Sequence, residues 1–363
     1  MGPSRPDRLR GDILLFLSRA LIVSLSALAS SAVALGQPAQ KPLGEIELFG
    51  YAGLDVDAVR ARLPLHEGDV FPPAGLSGEA LKATIGDRVR EVVGRPPTDV
   101  SFTCCDDRNQ WMVYVGLPGK SYRPLRYNAG PKGADRLPPA IVQLQQEADE
   151  ALQSAVLAGR SGEDDSQGYA LFEDPAVRAK QLALREYALA HEAEIRNVLA
   201  HSSDPRHRAI AAGALGYARR SERQVSALVN ASLDADDGVR NDAVRALAVL
   251  AGADRELARR IPATTFVGLV ASGTWSDHNK GAAVLEALSR GRDPKLLGQL
   301  RAEALDNLVE MARWRSAGHS YTARVTLGRV AGIEDSRLYE LIGLRRVEEI
   351  IGALGTPVRT PER

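Results

Sequence analysis

Half of this chain is written in a repeating helical phrase. Asp204-Pro-Arg-His-Arg208 leads into Ala211, Ala214 and Leu215, and 32 residues later Asp236-Asp-Gly-Val-Arg240 leads into Ala243, Ala246 and Leu247. A period of about 30 to 45 residues marks arrays of helical units, none of which can bury its apolar face alone. In the second copy Val239, Ala243, Ala246, Leu247 and Leu250 recur at the spacing of one helix face. Between the copies, Gln224 to Leu233 carries Val225, Leu228, Val229 and Leu233 at the same spacing, so the two helices can hide each other's stripes. Each large aliphatic side chain removed from water contributes about 1.5 to 3 kcal/mol, and several pairs in series build a core that a single pair cannot. Alanine at the contact positions lets helices approach closely. Asp204 with Arg208, and Asp236 with Arg240, sit at the spacing where an acid and a base meet on a helix or where the acid caps its first turn.

The phrase resembles HEAT repeats of the short, phycobilisome-lyase-like kind, through Asp236, Val239, Arg240, Ala243, Ala246 and Leu247 and through Asp204, Arg208, Ala211, Ala214 and Leu215. Asp174-Pro-Ala-Val-Arg178 keeps the lead without the downstream register. Val284 to Leu288 and Ala323 to Gly328 keep the aliphatic face without the lead. The resemblance covers residues 173 to 345. It implies an α-solenoid whose inner surface grips a partner. A minority of such proteins are lyases acting on tetrapyrroles, and nothing in this chain singles out that role.

The N-terminus carries Arg5, Arg8, Arg10 and Arg19, then an apolar run from Ala20 to Ala34 and the polar Gln37-Pro-Ala-Gln40. A basic flank, a short apolar stretch and a small-residue exit read as a signal peptide over residues 1–36. The run is shorter than the roughly 20 residues that span a bilayer. Cleavage near Ala34 or Gly36 is expected, with a periplasmic or secreted mature chain and no stable membrane insertion. An uncleaved leader, anchoring the chain at the inner membrane, is the alternative.

Residues 43–118 read as a small α+β domain in the order strand, helix, helix, strand, strand. Ile46 and Leu48 alternate with polar neighbours before Gly50; Val56, Val59 and Leu63 follow at helical spacing behind Asp55; Leu81, Ile85, Val89 and Val92 form a second helical stripe; and Asp99–Cys105 and Gln110–Leu117 read as strands around a turn at 106–109. With Ile46-Glu-Leu-Phe-Gly50 and Gly68-Asp-Val-Phe71, this order resembles a POTRA domain, the periplasmic polypeptide-transport-associated module. The likeness implies binding of partner chains, partly by strand addition at the sheet edge.

Residues 119–137, with Pro124, Gly130, Pro131 and Gly133, read as a linker whose composition resists packing. The HEAT-like domain then runs from 138 to 355, opening with Ile141, Leu144, Ala148, Leu152 and Val156 on one stripe. Glu163, Asp164 and Asp165 fall in what reads as a solvated acidic loop, and 356–363 as a disordered tail. Lys plus Arg and Asp plus Glu are 46 each, so no global field favours nucleic acid. Cys104 and Cys105 are the only cysteines. On a strand they point to opposite faces, giving one core thiol and one partly exposed thiol; a redox switch or an intermolecular bridge is the sharper alternative.

Sites of chemistry are scarce. His191-Glu-Ala-Glu-Ile195 begins like a zinc-protease helix, but the second histidine is Ile195. Gly119-Lys-Ser121 lacks the upstream glycine of a phosphate loop, and Pro124 obstructs the helix such a loop needs. The acids at 163–165 lack the spacing of a calcium loop. His201 and His207 flank a polar turn. Trp275, Trp314 and Tyr321 either fill gaps between helices or anchor a partner. No catalytic, cofactor or metal residue is assigned. The expected fold is mainly α, an α-solenoid of HEAT-like helix pairs preceded by a small βααββ domain. The expected function is an exported, non-enzymatic scaffold or adaptor for protein partners in envelope assembly. The alternative is a lyase or hydrolase with a site between the two domains, which a pocket lined by His201, His207 or His278 with converging carboxylates would favour.

Overall fold

The computed structural model describes residues 41–160 and 162–355; the leader and the tail lie outside the described residues. The chain is mainly helical, with a small four-stranded sheet near its N-terminal end. That sheet is built from β1 (Lys41–Phe49), β2 (Val70–Phe71), β3 (Asp99–Cys104) and β4 (Trp111–Gly116), in the order β2-β1-β4-β3. β1 runs parallel to β4, and the other pairings are antiparallel. Helices α1 (Val56–Arg62) and α2 (Gly78–Val93) lie between the strands in sequence. Asp55 caps α1, accepting from Ala58 N at 3.0 Å, Ser77 caps α2, and Gly94 ends α2 at φ +76°, a conformation glycine adopts without strain. The short β2, absent from the sequence reading, pairs with the start of β1.

One face of the sheet, with Ile46, Leu48, Val113 and Val115, buries against Val59, Leu81, Ile85 and Val89 of the two helices. The opposite face carries Glu45, Glu47, Phe49, Met112 and Tyr114, and alternation alone would give its glutamates to solvent. They are buried, because the helical half of the molecule covers that face.

This half begins with α3 (Pro139–Leu157), a hairpin of β5 (Glu163–Asp164) and β6 (Leu171–Phe172), and the long α4 (Pro175–His201), which departs from helical geometry at His191. Then come α5 (Pro205–Leu215), α6 (Glu222–Ala231), α7 (Asp237–Ala253), α8 (Arg255–Ala258), α9 (Ala263–Ala271), α10 (Trp275–Ser289), α11 (Pro294–Glu303), α12 (Leu305–Ala312), α13 (Ala317–Val330), α14 (Asp335–Gly343) and α15 (Val347–Gly352). α5, α7, α10 and α13 pack side by side in chain order, while α6, α9 and α12 lie against α7, α10 and α13.

The Asp and Arg of the repeated phrase do different work. Asp204 and Asp236 cap their helices, accepting from Arg206 N at 2.9 Å and Val239 N at 3.0 Å. The arginines reach forward to the next unit: Arg208 grips Asp234 through two bonds of 2.8 and 2.7 Å, and Arg240 grips Asp277 at 2.9 and 3.1 Å. Each guanidinium also donates to a turn carbonyl, Arg208 to Ser202 and Arg240 to Asp234. Both arginine side chains are 3% exposed, and such buried charges persist only when their hydrogen bonds are met.

Two expectations change here. Residues 119–137 do pack. Arg123, Asn128 and Gly133, evenly spaced by five, donate their backbone N–H groups to Ala271 O at 2.8 Å, Leu233 O at 2.7 Å and His201 O at 2.8 Å, at the ends of α9, α6 and α4. A side chain at Gly133 would collide with that His201 carbonyl. Tyr127 OH adds a 2.7 Å bond to Asp277. The composition is loop-like, but a strap needs only backbone donors and acceptors at the right rise, which Gly and Pro do not prevent. The acidic loop is solvated only in part: Asp165 to Gln167 are exposed, whereas the Glu163 side chain is buried and paired to Arg245, and Asp164 is half-buried and paired to Arg178.

Candidate functional site

The sheet and the helices meet through aromatic rings. Tyr114 of β4 packs against Trp275, Trp314 and His319 at centroid distances of 5.0, 5.1 and 5.3 Å, and its hydroxyl contacts His319 Nδ1. Phe49 lies 5.2 Å from His278. Trp314 Nε1 donates to Leu48 O at 3.2 Å. Thus Trp275 and Trp314 fill the junction and are not free anchors; Tyr321 sits half-buried on α13. At its margin the Glu310 carboxylate accepts from Gly50 N at 2.6 Å, Tyr51 N at 3.3 Å and Ser121 Oγ at 2.7 Å. Ser121, from the rejected phosphate-loop segment, is therefore part of this latch. Burial brings His278 down to about 4 and His319 to about 3, the nearby Lys280 charge adding to the latter. Burial also pushes Glu45 up to about 7, with Glu47 adding to the effect.

A second polar cluster lines the row of α5, α7, α10 and α13. Counting from the N-caps Asp236, Thr274 and Ser316, the sixth residue is Asp242 on α7, Lys280 on α10 and Thr322 on α13, so these stand at equivalent positions on neighbouring helices. Arg245, one turn past Asn241, pairs with Glu163 of the hairpin. Burial pushes Asp242 up to about 7 against the pull of Arg245, and pushes Tyr217 up to about 12. Burial and the Arg245 charge bring Lys280 down to about 8. Lys280 is 5% exposed and makes no hydrogen bond or ion pair among the described residues. Asn241 Oδ1, Arg245 Nε, Ser276 Oγ and Thr322 Oγ1 are likewise buried without partners among them. Between Gly213, Gly216, Tyr217, Asp242 and Arg245 lies a cavity of about 30 Å³, room for about two waters. The cluster offers an ammonium without a hydrogen-bond partner among the described residues, although the Glu163 and Asp242 charges act on it, together with hydroxyls and an amide oxygen, the donors and acceptors that a polar ligand or peptide group needs.

The histidines weighed from the sequence do not converge on this cluster. His191 stacks on Tyr187 at 4.4 Å on the surface of α4. His207 Nδ1 accepts from Leu137 N at 2.9 Å and so helps hold the strap. His201 lines an open cleft of about 580 Å³ between the strap and the ends of α4 and α6. Asp135 also lines it and is held by Asn197 at 2.7 Å. His278 is enclosed by Phe49 and Trp314. Among the described residues no group of three or more His, Cys, Asp or Glu side chains is placed to hold a metal ion, and no helix is long and apolar enough to cross a membrane. Asp242, Arg245 and Lys280 escaped the sequence reading because charge on a helix face ordinarily means solvent; the available signal was their shared place in consecutive units.

Cys104 and Cys105 correct the free-thiol expectation: their sulfurs are bonded, with Cα atoms 3.0 Å apart. Strand alternation does not separate them because β3 ends at Cys104 and Cys105 already belongs to the turn.

No protein-family model matches this chain, and no curated protein matches it. Among solved structures, the crystal structure of an engineered protein aligns with 61% of this chain and 96% of its own, at 16% identity and a TM-score of 0.36. That likeness carries no inference about fold or function.

Proposed function

We propose that this protein is an exported, non-enzymatic scaffold or adaptor, in which the helices from α4 to α14 form a HEAT-like solenoid and the N-terminal module is POTRA-like. The observation that supports the reading is the forward-reaching pair of Arg208 to Asp234 and Arg240 to Asp277, which ties the units of α5, α7 and α10 in series as a serial array requires. Partner binding uses the polar row around Asp242, Arg245 and Lys280, where desolvated groups await partners; the sheet fills the neighbouring stretch with Tyr114 and Phe49. Envelope assembly is the setting consistent with the basic and apolar leader of the sequence.

Crosslinking of the full chain in its native cells, followed by mass spectrometry, tests this. A partner captured by the wild type and lost from Lys280→Met, with the folded circular dichroism signal retained, is the expected result. Recovery of no specific partner, or of the same partners from both proteins, overturns the reading.

A further inference from the structure

The bonded pair Cys104 and Cys105 closes a ring of only two residues. A crosslink stabilises a fold mainly by restricting the unfolded chain, and that effect shrinks with the length of the loop closed. This one restricts almost nothing, so stability does not account for it. Its surroundings are those of a reactive site. Cys104, at the end of the edge strand β3, is 4% exposed, whereas Cys105 in the following turn is half-buried and reachable. Lys41 Nζ lies 3.6 Å from Cys105 Sγ. It is fixed there by Asn109 Oδ1 at 2.7 Å and by Leu157 O, at the end of α3, at 2.8 Å. The charges nearby are otherwise paired: Asp106 and Glu45 with Arg108, and Asp107 with Arg345. Lys41 has no carboxylate partner among the described residues, so its charge is available to a sulfur anion.

We propose that Cys104 and Cys105 form a two-electron thiol–disulfide exchange site, with Cys105 as the sulfur attacked and Lys41 as the group that stabilises its thiolate. The co-reactant is a dithiol, either a small molecule or a cysteine pair of another protein. One thiolate of the dithiol attacks Cys105 Sγ; the Cys104–Cys105 bond breaks, and Cys104 leaves with the electron pair and takes a proton. The second thiol of the reductant, as thiolate, then attacks the reductant sulfur in the mixed disulfide. Cys105 departs as a thiolate facing Lys41. The reductant is oxidised to its disulfide and the pair is reduced to two thiols, so electrons and protons balance. A thiolate is favoured by a nearby cation, and reactivity in exchange follows from the thiolate fraction and from access.

The test uses the full chain purified without reductant. Native protein is expected to take up no maleimide until dithiothreitol is added, then to take up one, at Cys105, without loss of its folded circular dichroism signal, and a second only on unfolding, because Cys104 is 4% exposed. Given glutathione disulfide, reduced Cys104→Ser is expected to hold one glutathione at Cys105, and Cys105→Ser to hold none while folded. At pH 7 the alkylation of Cys105 is expected to be about tenfold slower in Lys41→Met than in the wild type, the equivalent of one unit of thiol pKa. Free thiols in the purified protein that resist oxidation, reduction only after denaturation, equal glutathione labelling of the two serine variants, or an unaltered alkylation rate in Lys41→Met would each overturn the proposal. The wild-type thiol count needs no variant and so stands even if a substitution disturbs folding.

Discussion

Replacing His319 by Gln should change how the stability of this protein responds to acid. His319 is 1% exposed at the junction of sheet and helices, and its imidazole is brought from 6.5 to about 3, chiefly by burial. Above pH 6.5 the ring is neutral in both folded and unfolded chains and contributes no pH dependence. Below 6.5 the unfolded chain takes up the proton and the folded one does not, so the folded state loses stability until the pH reaches the folded value. Each full unit corresponds to about 1.36 kcal/mol, and with the unfolded ring already half protonated at 6.5 the loss from this one residue between pH 6.5 and 4.5 is about 2.3 kcal/mol. Glu45 and Asp242, both raised to about 7, act in the opposite direction: protonation of their folded forms adds stability as pH falls from 7 towards the ordinary carboxylate range. Those contributions are common to wild type and variant and cancel in the comparison. Urea unfolding can be followed by tryptophan fluorescence, with Trp275 only 5.5 Å from the His319 ring. Whatever constant cost the substitution itself carries, the stability of wild type relative to His319→Gln should fall by about 2.3 kcal/mol from pH 6.5 to 4.5. A difference that stays level to within about 0.5 kcal/mol across that range, below half of a single unit's worth, would refute the claim that His319 is buried neutral.

Asp277→Ala should cost about 3 to 5 kcal/mol, because it strands the buried Arg240 and releases Tyr127; an effect below about 1 kcal/mol in urea unfolding would place this ladder among surface pairs. Trp314→Ala, which empties a site 1% exposed, should cost about 3 to 5 kcal/mol, and a melting temperature equal to the wild type's would contradict the junction as drawn. Glu310→Gln should cost about 1.5 to 3 kcal/mol through its lost charge-assisted bonds. Faster hydrogen exchange at the Gly50 and Tyr51 amides is the local sign, and unchanged protection there would count against the latch.

What could be read from the sequence was local. Asp55, Asp174, Asp204 and Asp236 cap helices as their positions suggest, and the stripes from Val239 to Leu250 and from Leu81 to Val89 are buried. What escaped was non-local. Glu47 alternates like a solvent-facing residue, yet it meets Arg315, 268 positions away. Glu163 reads as loop chemistry until Arg245, 82 positions on, is found beside it. The polar row of the candidate site shares this property. Asp242, Lys280 and Thr322 lie on three separate helices, and only the packing of those helices turns three ordinary surface positions into one partly buried polar row.

The strap from Arg123 to Gly133 advances five residues for every helix pair it crosses, running against the direction of the array. A fully extended chain covers about 3.3 to 3.6 Å per residue, so neighbouring attachment points cannot part by more than about 17 Å without a bond letting go. The strap is thus an inextensible cord tied to the C-terminal ends of α9, α6 and α4, and it sets a limit to how far those helix ends can spread.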